Sequence, residues 1–298
     1  MKICRNIKEI QAFVAENKNQ KIALVPTMGA LHQGHLTLVQ EAKKYAKIVI
    51  ATIFVNPLQF NNQVDLTNYP RNQEADFTML AKQKVDAVFA PLSNEIYPQK
   101  LNFILEPTAI ANCLCGKYRP NHFSGVAIII IKLLNLTKPD FAIFGEKDYQ
   151  QFMIIKKLID DFNFSTQIIM AKTAREESGL AMSSRNQRLS TQAITIAPNI
   201  FKALNSIKDD FKNFLSQPNF NSQNFLKTIE ELLINQKENL INKGFQEVEY
   251  LEIRNQNFEE LKEIVAKNSN PNTIASENLR IFIALHLESV RLIDNISI

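Results

Sequence analysis

Apolar positions in the first half of the chain fall into short unbroken runs, and stretches of helical spacing separate them. Lys21 to Val25 and Lys47 to Val55 ("KIVIATIFV") predict buried strands, as do Val85 to Ala90, Asp140 to Phe144 and Ser165 to Met170. Between them, Leu31 to Tyr45, Ala75 to Lys84, Phe123 to Leu136 and Tyr149 to Phe162 predict helices. Strands that are apolar on both faces and alternate with helices predict a parallel sheet covered on both sides. The first half therefore reads as a doubly wound α/β domain, with functional loops at the carboxyl ends of its strands.

After about Leu189 the pattern changes. Thr191 to Leu215 and Phe225 to Asn242 predict long polar-faced helices. Gln246 to Asn255, Asn278 to Leu287 and Val290 to Ile296 alternate with period two, which predicts a small antiparallel sheet with one solvated face. The polar, unpatterned stretch "KTAREESGLAMSSRNQRLS" separates the two textures. It predicts an α/β domain over residues 1–173 and a smaller C-terminal α+β domain over residues 174–298.

Composition narrows the function classes. The chain has 298 residues, 45% of them hydrophobic, enough for two cores. Its formal net charge of +4 suits an anionic small substrate, and no dense Lys/Arg stripe points to nucleic acid. The apolar run Gly125 to Ile131 is too short to span a bilayer, so no membrane partner is expected. Cys4, Cys113 and Cys115 have neither disulfide-framework nor zinc-knuckle spacing, and reduced thiols in a cytoplasm are expected. Only seven glycines occur, about a third of the usual share of roughly 7%, and most lie in a few short polar stretches.

Four of those stretches carry candidate chemistry. In "PTMGALHQGH" a strand-to-helix turn is expected to present backbone N–H groups to phosphate, with His32 and His35 on one face and Gly34 leaving room for a nucleotide. A zinc pair or surface histidines remain alternatives, although no HExxH pattern follows. In "FVNPLQF", Asn56 and Gln59 suit a compact polar substrate, or simply make a turn. In "FGEKDYQQF", Lys147 suits phosphate, Asp148 a ribose hydroxyl or Mg²⁺ and Gln151 a substrate; a charged helix start is the alternative. In "GLAMSSRN", Ser183, Ser184 and Arg185 suit an anion clamp, or an exposed serine-rich loop.

Taken together with "YPR" (Tyr69 to Arg71), "HFSGV" (His122 to Val126) and the terminal "RLIDNI", these stretches resemble the pantothenate synthetase (pantoate–β-alanine ligase) family, in order, over essentially the whole chain. The His-x-x-His element alone resembles a wider class of α/β nucleotidyl-transfer domains and leaves a nucleotidylyltransferase as the alternative function.

The resemblance implies a Rossmann-like domain with a C-terminal lid. It also implies ATP- and Mg²⁺-dependent joining of D-pantoate to β-alanine through a pantoyl adenylate, with AMP and pyrophosphate released, and a homodimer. It implies that Pro26, Thr27, Met28, Gly29, Ala30, Leu31, His32, Gln33, Gly34 and His35 cradle ATP. His35 would act on phosphate, best read as an electrostatic stabiliser, with His32 as its partner. It implies further nucleotide contacts at Gly145, Glu146, Lys147 and Asp148, at Ala174, where valine is common in the family, and at Met182, Ser183, Ser184 and Arg185. Asn56, Gln59 and Gln151 would hold the organic substrates. No protein residue is assigned as a metal ligand.

Overall fold

Strands in the first half are apolar on both faces because both faces are covered. In the computed structural model, which describes residues 1–218, 220–268 and 270–298, every residue of Ile22–Val25 and Ile48–Thr52 is buried. In chain order the first elements are β1 (Lys2–Cys4), α1 (Ile7–Glu16), β2 (Ile22–Val25), α2 (Gln33–Ala42), β3 (Ile48–Thr52), α3 (Gln63–Thr67), α4 (Gln73–Lys82), β4 (Ala87–Phe89) and α5 (Ser93–Ile96). There follow α6 (Leu114–Tyr118), α7 (His122–Thr137), β5 (Phe141–Gly145), α8 (Tyr149–Asp161) and β6 (Gln167–Ala171). The remainder comprises α9 (Thr191–Ile196), α10 (Asn199–Leu215), α11 (Ser222–Asn242), β7 (Glu247–Arg254), α12 (Leu261–Lys267), α13 (Pro271–Ser276), β8 (Arg280–Leu287) and β9 (Val290–Ser297).

The chain forms two compact units, and it crosses between them more than once. The first comprises Met1–Asn112, Arg119–Ala174 and Met182–Ser184; the second comprises Cys113–Tyr118, Arg175–Ala181 and Arg185–Ile298. The first unit is the doubly wound α/β fold, a parallel sheet in the order β1-β4-β3-β2-β5-β6. Its strand order reverses about β2, which has β3 on one side and β5 on the other. A crevice at the carboxyl ends of these strands is where such sheets bind ligands. The edge strand β1 has only three residues, too few to show a period.

The second unit carries the antiparallel sheet β7-β8-β9. The expected solvated face is not seen on β8, whose residues are all buried except the half-buried His286. One face packs on the core formed with α10 and α11. The other is covered from within the unit: Phe258 packs on Phe282 with tilted rings 5.6 Å apart, and α6 brings Cys115 to 3.0 Å from the Tyr250 hydroxyl on the neighbouring strand. The single helix expected from Thr191 to Leu215 is two, α9 and α10. Pro198 stands between them; it lacks an N–H and its ring clashes with the preceding turn.

Also within the second unit, Arg175 lies on a short hairpin that bridges to Ala181. Its guanidinium donates to both carboxylate oxygens of Asp294 at 2.6 and 3.0 Å, donates to the Gly179 carbonyl, and lies 3.9 Å over the Phe201 ring. The Asp294 side chain is 2% exposed. Removing the cation leaves a buried carboxylate without its ion pair, which typically costs about 3–5 kcal/mol. Arg175→Met is therefore expected to lower unfolding stability by about 3 kcal/mol in urea denaturation. A loss below about 1 kcal/mol would show the pair to be dispensable.

Candidate nucleotide and acid site

Beyond Val25 the chain must turn from β2 into α2, and the turn is fixed by the satisfaction of its backbone groups. Thr27 and Thr52 bond reciprocally: Thr27 N–H donates to Thr52 Oγ1 at 3.1 Å and Thr27 Oγ1 to the Thr52 carbonyl at 2.5 Å. Gly29 and Ala30 both have positive φ, +83° and +50°. For Ala30 that is a strained conformation which the surroundings must hold. The holding group is Asp76 on α4, 2% exposed, whose carboxylate accepts from Ala30 N–H at 3.0 Å and Leu31 N–H at 2.7 Å. Burial pushes the Asp76 carboxyl above its usual range, against the two backbone bonds that favour its charge. The Ala30 carbonyl in turn accepts from the buried Ser184 hydroxyl at 3.0 Å.

The expectation of a turn rich in available N–H groups needs correction. Thr27, Gly29, Ala30 and Leu31 already donate to Thr52, Thr27 and Asp76. His32 N–H donates to His35 Nδ1 at 3.3 Å, and Gly34 N–H to His32 Nδ1 at 3.1 Å, a reciprocal cap made by the two histidines. Among the described residues, the amides of Met28 and Gln33 are the ones in this turn without a hydrogen-bond acceptor. Nor does Gly34 leave an open space for a nucleotide: a Cβ there would lie 2.9 Å from the His32 ring and 3.3 Å from Met182 Cβ. Glycine at 34 makes room for the capping imidazole.

The caps also settle the imidazole protons. Both Nδ1 atoms accept backbone N–H bonds, so in each neutral ring the proton sits on Nε2. Burial pushes His32 down to about 4, with the Lys147 charge adding to the shift. Burial, then His32 and Lys147, push His35 down to about 3. The rings lie 4.1 Å apart. The site thus offers two neutral Nε2–H donors beside one lysine.

Gly145, Glu146, Lys147 and Asp148 follow β5 at the same end of the sheet. Lys147 Nζ lies 3.6 Å from Asp148 Oδ1, and Glu146 Oε2 accepts from Thr173 N–H at 3.3 Å. The Thr173 hydroxyl oxygen is buried and has no hydrogen-bond partner among the described residues. The Ala174 carbonyl accepts from Met182 N–H at 3.0 Å. Gln151 is half-buried on the first turn of α8, beside Gln150, which is anchored to the Ile110 carbonyl at 2.8 Å. The structure brings Pro26 to His35, Gly145 to Asp148, Ala174 and Met182 to Ser184 into the first unit; Arg185 belongs to the second.

A second polar set surrounds the turn Pro57–Gln59 after β3. Asn56 is 1% exposed and Gln59 9%. Gly125 on α7 lets that turn approach: a Cβ at Gly125 would lie 2.2 Å from the Leu58 carbonyl oxygen. His122 Nδ1 lies 2.7 Å from the Gln59 carbonyl oxygen, which also accepts from Arg119. "HFSGV" is thus the seat on which Asn56 and Gln59 rest. Arg71 of "YPR" donates to the carbonyls of Leu66, Thr67 and Tyr69 and closes the end of α3. Asp76 and Tyr97 were not singled out in sequence; the buried helical position of an aspartate was the one available signal for the former.

Fold and site define an α/β domain with a His-x-Gly-His turn and an adjoining pair of buried amides, Asn56 and Gln59. The comparisons give the family. The pantoate-beta-alanine ligase family model matches residues 2–297. The chain is 39% identical to the pantothenate synthetase of Cytophaga hutchinsonii, over 98% of each. It is 40% identical to that of Francisella tularensis, over 99% of this chain and 97% of the relative. The crystal structure of the Francisella tularensis ligase complexed with beta-gamma ATP and beta-alanine superposes with a TM-score of 0.79 at 38% identity, covering 100% of this chain and 97% of that one. The Thermus thermophilus pantothenate synthetase gives 0.82 at 32% identity, with 99% of each covered. This chain belongs to the pantoate–β-alanine ligase family.

Because both folded-state values lie below the ordinary 6.5, the histidines contribute stability fully above pH 6.5 and lose it as pH falls toward 4 and then 3. Nitrogen-15 NMR of the ligand-free protein is expected to show two Nε2–H tautomers that do not titrate between pH 5 and 8. A ring that protonates near 6.5 would overturn the assignment.

Proposed function

We propose that the chain joins D-pantoate to β-alanine with ATP, forming pantothenate, AMP and pyrophosphate. The observation that carries the reading is the convergence, within one unit, of the paired Nε2–H donors and Lys147 with the buried Asn56–Gln59 amides. The first set suits phosphate and the second a small hydroxy acid. The beta-gamma ATP and beta-alanine complex of the Francisella tularensis relative supports the nucleotide and the amine substrate.

In the first step a pantoate carboxylate oxygen attacks the α-phosphorus, and the bond to the bridging oxygen breaks, so pyrophosphate leaves with the electron pair. Negative charge grows on phosphate oxygens, where His32, His35 and Lys147 stabilise it as donors already in position. No proton need move, which accords with imidazoles that are neutral throughout the working range. In the second step the β-alanine amine attacks the acyl carbon, the acyl–oxygen bond breaks, AMP leaves and the amine loses a proton. Gln59 and Gln151 are assigned to pantoate and Asn56 to the β-alanine side. Pro26 to His35, Gly145 to Asp148, Ala174 and Met182 to Ser184 are assigned to ATP. The Ser184 proton is committed to the Ala30 carbonyl, so its hydroxyl serves by holding the turn.

Among the described residues no three His, Cys, Asp or Glu side chains converge on a metal position. Mg²⁺ is read as arriving on the nucleotide, since magnesium keeps several waters and takes few protein ligands beside phosphates; Asp148, beside Lys147, is the carboxylate that would join it. A homodimer is supported by Phe103 and Ile104, 87% and 85% exposed on a segment without helix or strand. Among the described residues no helix is long and apolar enough to cross a membrane. The three thiols suit a reducing cytoplasm.

Coupled detection of AMP and pyrophosphate, with each substrate omitted in turn, tests the reaction. Pyrophosphate is expected only when pantoate is present, and AMP release at full rate only with β-alanine as well. ADP as product, or nucleotide retained on the final product, would overturn the reading. Light scattering tests the assembly: the wild type is expected at twice the mass of one chain and Phe103→Asp at the mass of one. An unchanged mass for the variant would remove this surface from the interface.

A further inference from the structure

Asn56 has a carboxamide in which each hydrogen-bonding position is filled. Its Nδ2 donates to the Gly125 carbonyl and to Gln59 Oε1, both at 3.0 Å. Its Oδ1 accepts from Leu58 N–H at 3.3 Å and from the Tyr97 hydroxyl at 2.9 Å. Two partners are backbone groups with fixed polarity, so the amide has one permitted orientation. That orientation propagates: Gln59 Oε1 must be the acceptor, and its Nε2, 2.9 Å from Met28 Sδ, is the end left to donate.

We propose that Tyr97 is a positioning residue that directs the Gln59 –NH₂ donor at the acid substrate, acting through Asn56. The proposal rests on the reading of Gln59 as a substrate contact. Of the two groups that hold Asn56 Oδ1, Tyr97 makes the shorter bond and is the one side chain among them. The hydroxyl has no other hydrogen-bond partner among the described residues. Burial pushes the phenol well above its usual range, so it remains a donor at every working pH. Its ring is fixed independently, 6.1 Å from Phe54 and with Lys132 Nζ 5.6 Å above it. A neutral donor in a neutral relay selects an oxygen acceptor on the ligand, such as a carboxylate or hydroxyl oxygen, and disfavours an ammonium group at that point. This assigns Gln59 a discriminating role between the two organic substrates, one presenting acceptors and the other an amine.

Tyr97→Phe removes the hydroxyl and keeps the ring packing. The expected result is a pantoate KM raised about tenfold, with kcat within about threefold and the ATP KM unchanged. In an Asn56→Ala background the same change is expected to have no further effect on pantoate affinity, read by titration calorimetry with a non-hydrolysable ATP analogue. A pantoate KM within about twofold of wild type would overturn the proposal. So would the full Tyr97→Phe effect persisting without Asn56, or all KM values rising together with a lower melting temperature. Failure of the underlying reading is distinguishable: the wild type would then show no pantoate-dependent AMP, or Gln59→Ala would leave pantoate affinity intact.

Discussion

One buried carboxylate determines the geometry at the switch point of the sheet. Asp76 lies inside the first unit with two backbone N–H groups as its partners, and those groups belong to the left-handed Ala30 and to Leu31 after it. An Ala at positive φ tends to relax into the ordinary regions unless its peptide groups are held. A buried carboxylate is costly unless donors meet it. Each requirement is met by the other, and the Ser184 hydroxyl on the Ala30 carbonyl closes the third side. His32 then emerges where its ring can cap α2, and the cap fixes His35.

The consequence for chemistry is that charge and hydrogen bonding are separated. The histidines supply direction, as two Nε2–H donors whose positive forms are suppressed by burial and by Lys147. The lysine supplies charge. Departure of pyrophosphate from an α-phosphorus needs dispersal of negative charge, not a proton, and preorganised donors do this without reorganising during the reaction. An imidazolium in the resting site would instead repel Lys147. Most N–H groups of the described turn are already occupied, so the proposed chemistry draws chiefly on side chains.

The parallel sheet and the antiparallel one were legible because each strand's burial pattern is written in its own residues. β2 and β3 are apolar throughout, and the alternation of β9 matches its pairing with β8. The two histidines, Asn56, Gln59 and Lys147 were legible as residue types. What escaped were properties created by distant chain. β8 reads as half-solvated, because nothing local says that α6, more than a hundred residues earlier, covers its second face. Gly34 reads as space for a ligand, because the capping rotamer of His32 cannot be inferred from its neighbours. Asp76 and Tyr97 are ordinary helix and loop residues until tertiary structure gives each a single polar task.

Gly125 shows how a glycine can help set the orientation of side chains on another element. Its missing Cβ allows the Leu58–Gln59 backbone to lie against α7 at a separation that no other residue permits. That approach puts the Gly125 carbonyl within 3.0 Å of Asn56, whose amide is thereby oriented from the helix side and by Tyr97 from the other. Gln59 receives its polarity from Asn56, and its main-chain carbonyl is held by His122 and Arg119. The side chain and backbone of one glutamine are thus fixed by separate partners, which reduces the rotamer freedom it would lose on meeting a ligand. Enlarging residue 125 would displace the whole relay at once, whereas changing Tyr97 alters the direction of one donor. The two positions therefore separate assembly of the acid pocket from its discrimination.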